Sequence, residues 1–263
     1  MLSNVFLKSL RDLTRPLIFW GTGVLLYGLV IVLFYPTISE VPELNEIFPE
    51  DSVLSVAFGG GDLTSPEGFL NAEVFSFMWP LLFMIFSVWI GTASIAGEER
   101  RGTLEILLAL PITRSSIVLQ KSGVIFVANI LLGLSGWIGL AVGFTIISVD
   151  VDIFVFIPPI VMLALLGSLL GTMALLIGSS TGKTGLAIGV TATVGTVAYL
   201  LNTLGQLVDG LEWIRYGSPL YYYSGANPLA NGLSLGHSVV MVCTVIVFIS
   251  ISMIVFNKRD INA

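Results

Sequence analysis

Ionisable side chains are scarce in this chain. Of its 263 residues, 11% are Asp, Glu, Lys or Arg, and it holds one histidine and one cysteine. The single cysteine, Cys243, excludes an internal disulfide and lies in an apolar run, where a thiol serves packing. The single histidine, His237, stands at the entrance to an apolar run without the partners a metal ligand or pH sensor needs, so interfacial packing is its expected role. No His/Cys/carboxylate cluster for a metal and no paired Ser–His arrangement is present. No secretory cleavage site follows a short apolar core near the N-terminus, so a cleaved signal peptide is not expected.

What the chain has is apolar surface: 55% hydrophobic residues and a mean hydropathy of +0.96. About 20 residues at 1.5 Å rise span a hydrocarbon core. Six runs reach that length, at 16–34, 75–96, 123–149, 154–178, 186–207 and 238–256. They are continuous rather than alternating, which excludes a β-barrel. The expectation is a single all-α domain over 1–263, a polytopic membrane protein with six transmembrane helices.

Charge placement orients it. Lys and Arg gather on the cytoplasmic side of short loops. With the N-terminus inside, Lys8, Arg11, Arg15, Arg100, Arg101, Arg114, Lys121, Lys183, Lys258 and Arg259 fall inside, and Arg215 alone falls outside. Both termini are therefore expected in the cytoplasm, at the plasma membrane. Of the 17 acidic residues, 12 fall outside, and a lysine-free acidic exterior suits a medium of high salt. Stability unchanged between low and molar salt would count against that.

Residues 1–15 place Leu2, Val5, Phe6, Leu10 and Leu13 on one side and Lys8, Arg11, Asp12 and Arg15 largely on the other. The pattern fits an N-terminal interfacial amphipathic helix, with a plain basic flank as the alternative. Pro36, Pro42, Pro49 and Pro66 and the glycines before Asp62 make 35–71 an external loop. Asp62 is expected to be solvated rather than to hold a cation.

The most informative stretch is 97–121, GEERRGTLEILLALPITRSSIVLQK. It is too charged for hydrocarbon, yet Leu104, Leu107, Leu108 and Ile112 recur at helical spacing. Pro111 breaks it, and Thr113 or Ser115 can cap a second short helix. An elbow between spans 2 and 3 follows, lying along the cytoplasmic surface with an apolar face that must dock on something.

Here the sequence resembles a known family. Gly97, Glu98 and Glu99, then Arg101-Gly102-Thr103-Leu104-Glu105, Leu110-Pro111, Thr113-Arg114 and Lys121 are similar to the first cytoplasmic loop of ABC-2 type transporter permeases. SPLYYYSGANPLANGLSLGH, residues 218–237, resembles the loop before the last span in one branch of that family. The resemblance covers essentially the whole chain. It implies a permease subunit, not itself an enzyme, that pairs with a second identical or different permease and recruits a cytoplasmic ABC ATPase. ATP and Mg would bind in that partner; this chain would hold no cofactor or metal and no nucleic acid. It also implies that the elbow docks its Leu104, Leu107 and Leu108 face in an ATPase groove. Glu98, Glu99, Arg101, Thr103, Glu105, Pro111 and Arg114 would complete the coupling surface.

Three further patterns bear on this. Gly139 and Gly143, Gly167 and Gly171, and Gly185 and Gly189 are each four apart, as at close helix crossings in lipid. GSSTGKTG, residues 178–185, looks like a Walker A loop but is one residue short and flanked by apolar spans, so it reads as a tight turn. Trp213, Tyr221, Tyr222 and Tyr223 suit a membrane–water boundary and are expected in an external lid of two short helices, with a substrate-facing patch as the alternative. Inside the spans the polar residues are Asn129, Thr145, Thr172, Thr191, Thr193, Thr196 and Asn202, all weak ion ligands. A standalone carrier or channel would want ionisable groups at mid-depth, and a membrane-embedded enzyme a polar cluster there. Energy entering through the elbow is the better reading, for an ATP-driven exporter.

Overall fold

The computed structural model describes residues 5–41, 62–208 and 210–260, and all regular structure among them is helical. Helix α1 (Val5–Asp12) leads through Leu13 into α2 (Thr14–Ser39). Then come α3 (Pro66–Ser94), α4 (Ala96–Arg100), α5 (Leu104–Leu108), α6 (Arg114–Ile147) and α7 (Ile153–Thr181). α8 (Thr184–Leu207) is followed by a 3₁₀ turn (Glu212–Gly217), α9 (Pro219–Ser224), α10 (Pro228–Asn231) and α11 (Leu235–Lys258). Six of these, α2, α3, α6, α7, α8 and α11, are long and apolar enough to cross a membrane. An even number of crossings puts both termini at one end, with α1, α4 and α5. The 3₁₀ turn, α9 and α10 lie at the other.

The centre of the bundle is α7, which packs against α3, α6, α8 and α11. In its most apolar stretch 67% of residues are buried, against 22% in α2 and α8 and 17% in α11. The outer spans therefore leave most of their surface to lipid or to another chain. Crossings are close where side chains are smallest. A Cβ at Gly91 would overlap the Gly171 carbonyl oxygen, and one at Gly139 would overlap the Leu25 carbonyl. Gly143 meets Val32, and Gly167 lies against Asn129, whose Oδ1 accepts from Ser87 Oγ at 2.8 Å. The third glycine pair differs: Gly185 and Gly189 have nothing within 4 Å.

The helices outrun the apolar runs that announced them. α6 has 34 residues, hence about 51 Å at 1.5 Å per residue, well beyond a hydrocarbon core of about 30 Å. Its extra turns begin at Thr113, whose side chain accepts from the Ser116 N–H and caps the helix. Capping at Thr113 thus opens the third span itself, and no separate second short helix precedes it. α2 likewise continues past Pro36 to Ser39, so the expected loop starts later. Its other end is helical too: Ser65 caps and Pro66 opens α3. Residues 42–61, with Glu43, Glu46, Glu50, Asp51 and the glycine run, lie outside the described residues, as do Leu2 and Asp209. Asp62 accepts from the Thr64 N–H at 2.8 Å and from the Thr64 hydroxyl, closing a local turn.

α3 carries a π-helical stretch, Asn71–Met78, where the Trp79 N–H bonds the Val74 carbonyl. In that register the next donor would be residue 80, and Pro80 has none. The orphaned Phe75 carbonyl accepts instead from the Tyr223 hydroxyl at 2.6 Å. A proline in α3 is thus satisfied by the segment between α8 and α11.

Candidate functional site

At the end that carries the termini, α4 and α5 form the elbow. α4 stops in a Schellman motif: Gly102 takes φ +70°, its N–H bonds the Glu99 carbonyl, and the Thr103 N–H bonds the Glu98 carbonyl at 2.9 Å. The Thr103 hydroxyl donates to the same carbonyl at 3.1 Å. The chain then turns directly into α5, five residues long.

The face of α5 differs from the expectation. Leu104 and Leu107 are 1% and 3% exposed and belong to the main hydrophobic core, with Leu108 and Ile112 packed partly against it. The apolar stripe of 97–121 is therefore covered largely by this chain's own bundle. Amphipathic spacing reveals that a face is buried, not what buries it. The side left open carries Arg101, Glu105, Ile106, Leu110 and Pro111, with Ile106 at 69% exposure.

Beneath the elbow the charged residues face inward. The Lys121 ammonium donates to Glu98 Oε1 at 2.7 Å, and the two side chains are 5% and 7% exposed. Two turns into α6, Lys121 thus locks the end of α3 and α4 to the third span. Glu99 forms a two-pronged pair with Arg259, just past the end of α11, and the same guanidinium donates to the Ser179 carbonyl of α7 at 3.2 Å. Gly182 is required under this pair. It caps α7 at φ +69°, and a Cβ there would strike Arg259 and Glu99. Arg114 donates to the Phe256 and Arg259 carbonyls at 3.1 and 2.6 Å, with its guanidinium 5.7 Å from the Phe256 ring centre. These carbonyls end α11, so a cation there satisfies acceptors the helix leaves open. Asn257 also donates to Ser115 at 2.7 Å. On the other flank, α1 packs on α6, the Phe6 N–H donating to Gln120 at 2.9 Å.

Glu98, Glu99 and Arg114, expected on a docking surface, are thus internal ties, while Arg101, Glu105 and Pro111 stay exposed. Arg259 and Ser179 carried no local signal in the sequence. Arg259 could have been suspected only as the last cation of a basic tail. The 178–185 segment ends α7, turns at Gly182 and Lys183 and opens α8.

At the opposite end, Trp213 is exposed, Tyr221 and Tyr222 are half-buried, and Tyr223 is 2% exposed. Three short pieces, rather than two helices, carry this segment. Burial pushes the Tyr223 hydroxyl well above its ordinary pKa. His237 packs among tyrosines, 5.2 and 5.5 Å from the Tyr221 and Tyr222 ring centres. Among the described residues no group of three or more His, Cys, Asp or Glu is placed to hold a metal ion.

No curated protein matches the sequence. The family model described as ABC-2 family transporter protein matches residues 3–261, spanning every helix of the bundle, the elbow and the tail that ties it. The chain belongs to the ABC-2 family of transporter proteins.

Proposed function

We propose that this chain is the permease subunit of an ATP-driven exporter and takes its energy through the elbow from a separate cytoplasmic ATPase subunit. The basic end, with both termini, faces the cytoplasm of a plasma-membrane protein, in keeping with the ten-to-one placement of Lys and Arg. ATP and Mg bind in the partner. A second permease packs against the outer spans, which this chain leaves largely uncovered.

One observation carries the reading. The elbow has a buried side anchored to the bundle and an open side of Arg101, Glu105, Ile106 and Leu110. Through Glu98 the same segment is bonded to α6, and through Glu99 to Arg259 after α11, whose guanidinium also donates to the Ser179 carbonyl of α7. A push on the open side is therefore delivered to three spans at once. Short, charge-tied segments of this kind move as rigid pieces, because tilting one breaks buried polar bonds.

The test is gentle purification of the tagged protein from its native membrane, with mass spectrometry of its companions. An ABC ATPase subunit should accompany it in stoichiometric amount and be lost in Ile106→Asp, which changes a side chain exposed to solvent. Absence of any ATPase from the unaltered protein, or full retention in Ile106→Asp combined with Arg101→Glu, would sink the coupling reading. Leu107→Asp is a poor probe, since it buries a charge and unfolds the elbow.

A further inference from the structure

At the end opposite the termini, a cavity of about 190 Å³ opens between α3, α8, the 3₁₀ turn, α9 and α10. Drug-sized ligands occupy pockets of about 300–1,000 Å³, so this space fits a headgroup and not a whole cargo molecule. Its lining includes Arg215, Asn202, Thr203, Gln206, Tyr199 and Ser76, and no Asp or Glu lines it among the described residues. That reverses the surroundings. Among the described residues, Glu40, Asp62, Glu67, Glu73, Asp150, Asp152 and Glu212 belong to this end of the bundle, and Arg215 is its one Lys or Arg.

The guanidinium is held but not neutralised. The Tyr221 ring stacks over it at 5.2 Å, and its Nε donates to Asn202 Oδ1 at 3.5 Å. Its two terminal nitrogens form no hydrogen bond or ion pair with any described residue. The stem is wedged on α8, where a Cβ at Gly205 would overlap it. A planar cation fixed by a ring and an amide, with its fork open to a polar cavity, is suited to two oxygens of a tetrahedral anion. Hydroxyl and amide groups on the walls can donate to the remaining oxygens.

We propose that this cavity binds a phosphate group, with Arg215 as its main ligand and the phosphate presented by an amphiphile at the outer membrane surface. Such a site would hold an exported or resident phospholipid by its head while its chains remain in the bilayer. The proposal does not depend on the elbow, because binding needs no ATPase.

The experiment is thermal unfolding of the purified full chain in a neutral detergent, titrated with dihexanoyl phosphatidic acid, inorganic phosphate, or dihexanoyl glycerol. Saturable stabilisation by the phosphatidic acid, none by the glycerol, and affinity weakened about tenfold or more in Arg215→Gln are expected. Arg215→Lys keeps the charge without the fork and should weaken binding less, which guards against a folding defect in the first variant. Equal stabilisation by inorganic phosphate would keep the phosphate site but overturn its assignment to an amphiphile. Stabilisation by the lipid alone assigns it to a lipid head. No saturable effect from either phosphate compound, or an undiminished effect in Arg215→Gln, would overturn the proposal.

Discussion

Replacing one member of the Glu98–Lys121 pair tests how the elbow is held. The pair is nearly solvent-free, with a 2.7 Å bond, and Glu98 Oε2 has no hydrogen-bond partner among the described residues. Lys121→Met would leave a buried carboxylate uncompensated, and Glu98→Leu would strand an ammonium. Removing one partner of such a pair costs about 3–5 kcal/mol, whereas replacing both by apolar residues of similar volume is often neutral or better. For a chain of this size, 1 kcal/mol corresponds to roughly 2–4 °C in Tm, so each single variant should melt about 6–20 °C lower. Glu98→Leu/Lys121→Met should recover most of that loss, giving a large coupling energy in a double-mutant cycle. The assay is thermal unfolding of the four purified proteins in one detergent. Single variants within about 0.5 kcal/mol of the parent, or strictly additive losses, would refute the claim that this pair carries the junction.

Other expectations follow from the same geometry. The Glu99–Arg259 pair is more exposed, with side chains at 25% and 16%, so Glu99→Gln should cost only about 1 kcal/mol. Melting measured in low and high salt will show whether that smaller loss is also the one that screening reduces. Tyr223→Phe strands the Phe75 carbonyl that Pro80 leaves unbonded and should cost about 1–3 kcal/mol in thermal unfolding. Because the folded Tyr223 titrates above the unfolded value of about 10, the folded state binds more protons above that pH. Its contribution is complete below pH 10 and declines as pH rises further, and Tyr223→Phe should flatten that decline in an alkaline melting series. Gly91→Ala forces a Cβ onto the Gly171 carbonyl and should destabilise by about 1–3 kcal/mol, while Gly189→Ala meets open space and should be neutral or slightly stabilising in the isolated chain. Equal effects of the two alanines on Tm would contradict the packing described.

Six spans were legible because apolar runs long enough to cross a bilayer have few other uses. Their ends were not. The first turns of α6 and α3 contain Arg114, Lys121, Glu67 and Glu73, and a charged turn interrupts an apolar run without interrupting a helix. The elbow was legible as a place, but not which of its sides is open. Spacing located the stripe of Leu104 and Leu107, but only the packed bundle shows that α5 turns it inward and offers Ile106 instead. The ties were least visible. Glu99 and Arg259 are 160 positions apart, and no short-range pattern relates them. Tyr223 and Phe75 are joined for a reason hidden in a third residue, the proline that cannot donate.

The position of Arg259 has a consequence for synthesis. Its guanidinium reaches a carboxylate and a carbonyl made 160 and 80 residues earlier, and Arg114 in turn waits for the carbonyls at 256 and 259. A nascent chain with five spans already threaded has the Glu98–Lys121 bond but still lacks those that tie its elbow to α7 and to the end of α11. A partner arriving early would meet an elbow tied to α6 alone, and a chain released before Arg259 would keep it so. Synthesis of α11 and Arg259 is thereby written into the shape of the elbow, and chains that stop before Arg259 differ there from chains that include it.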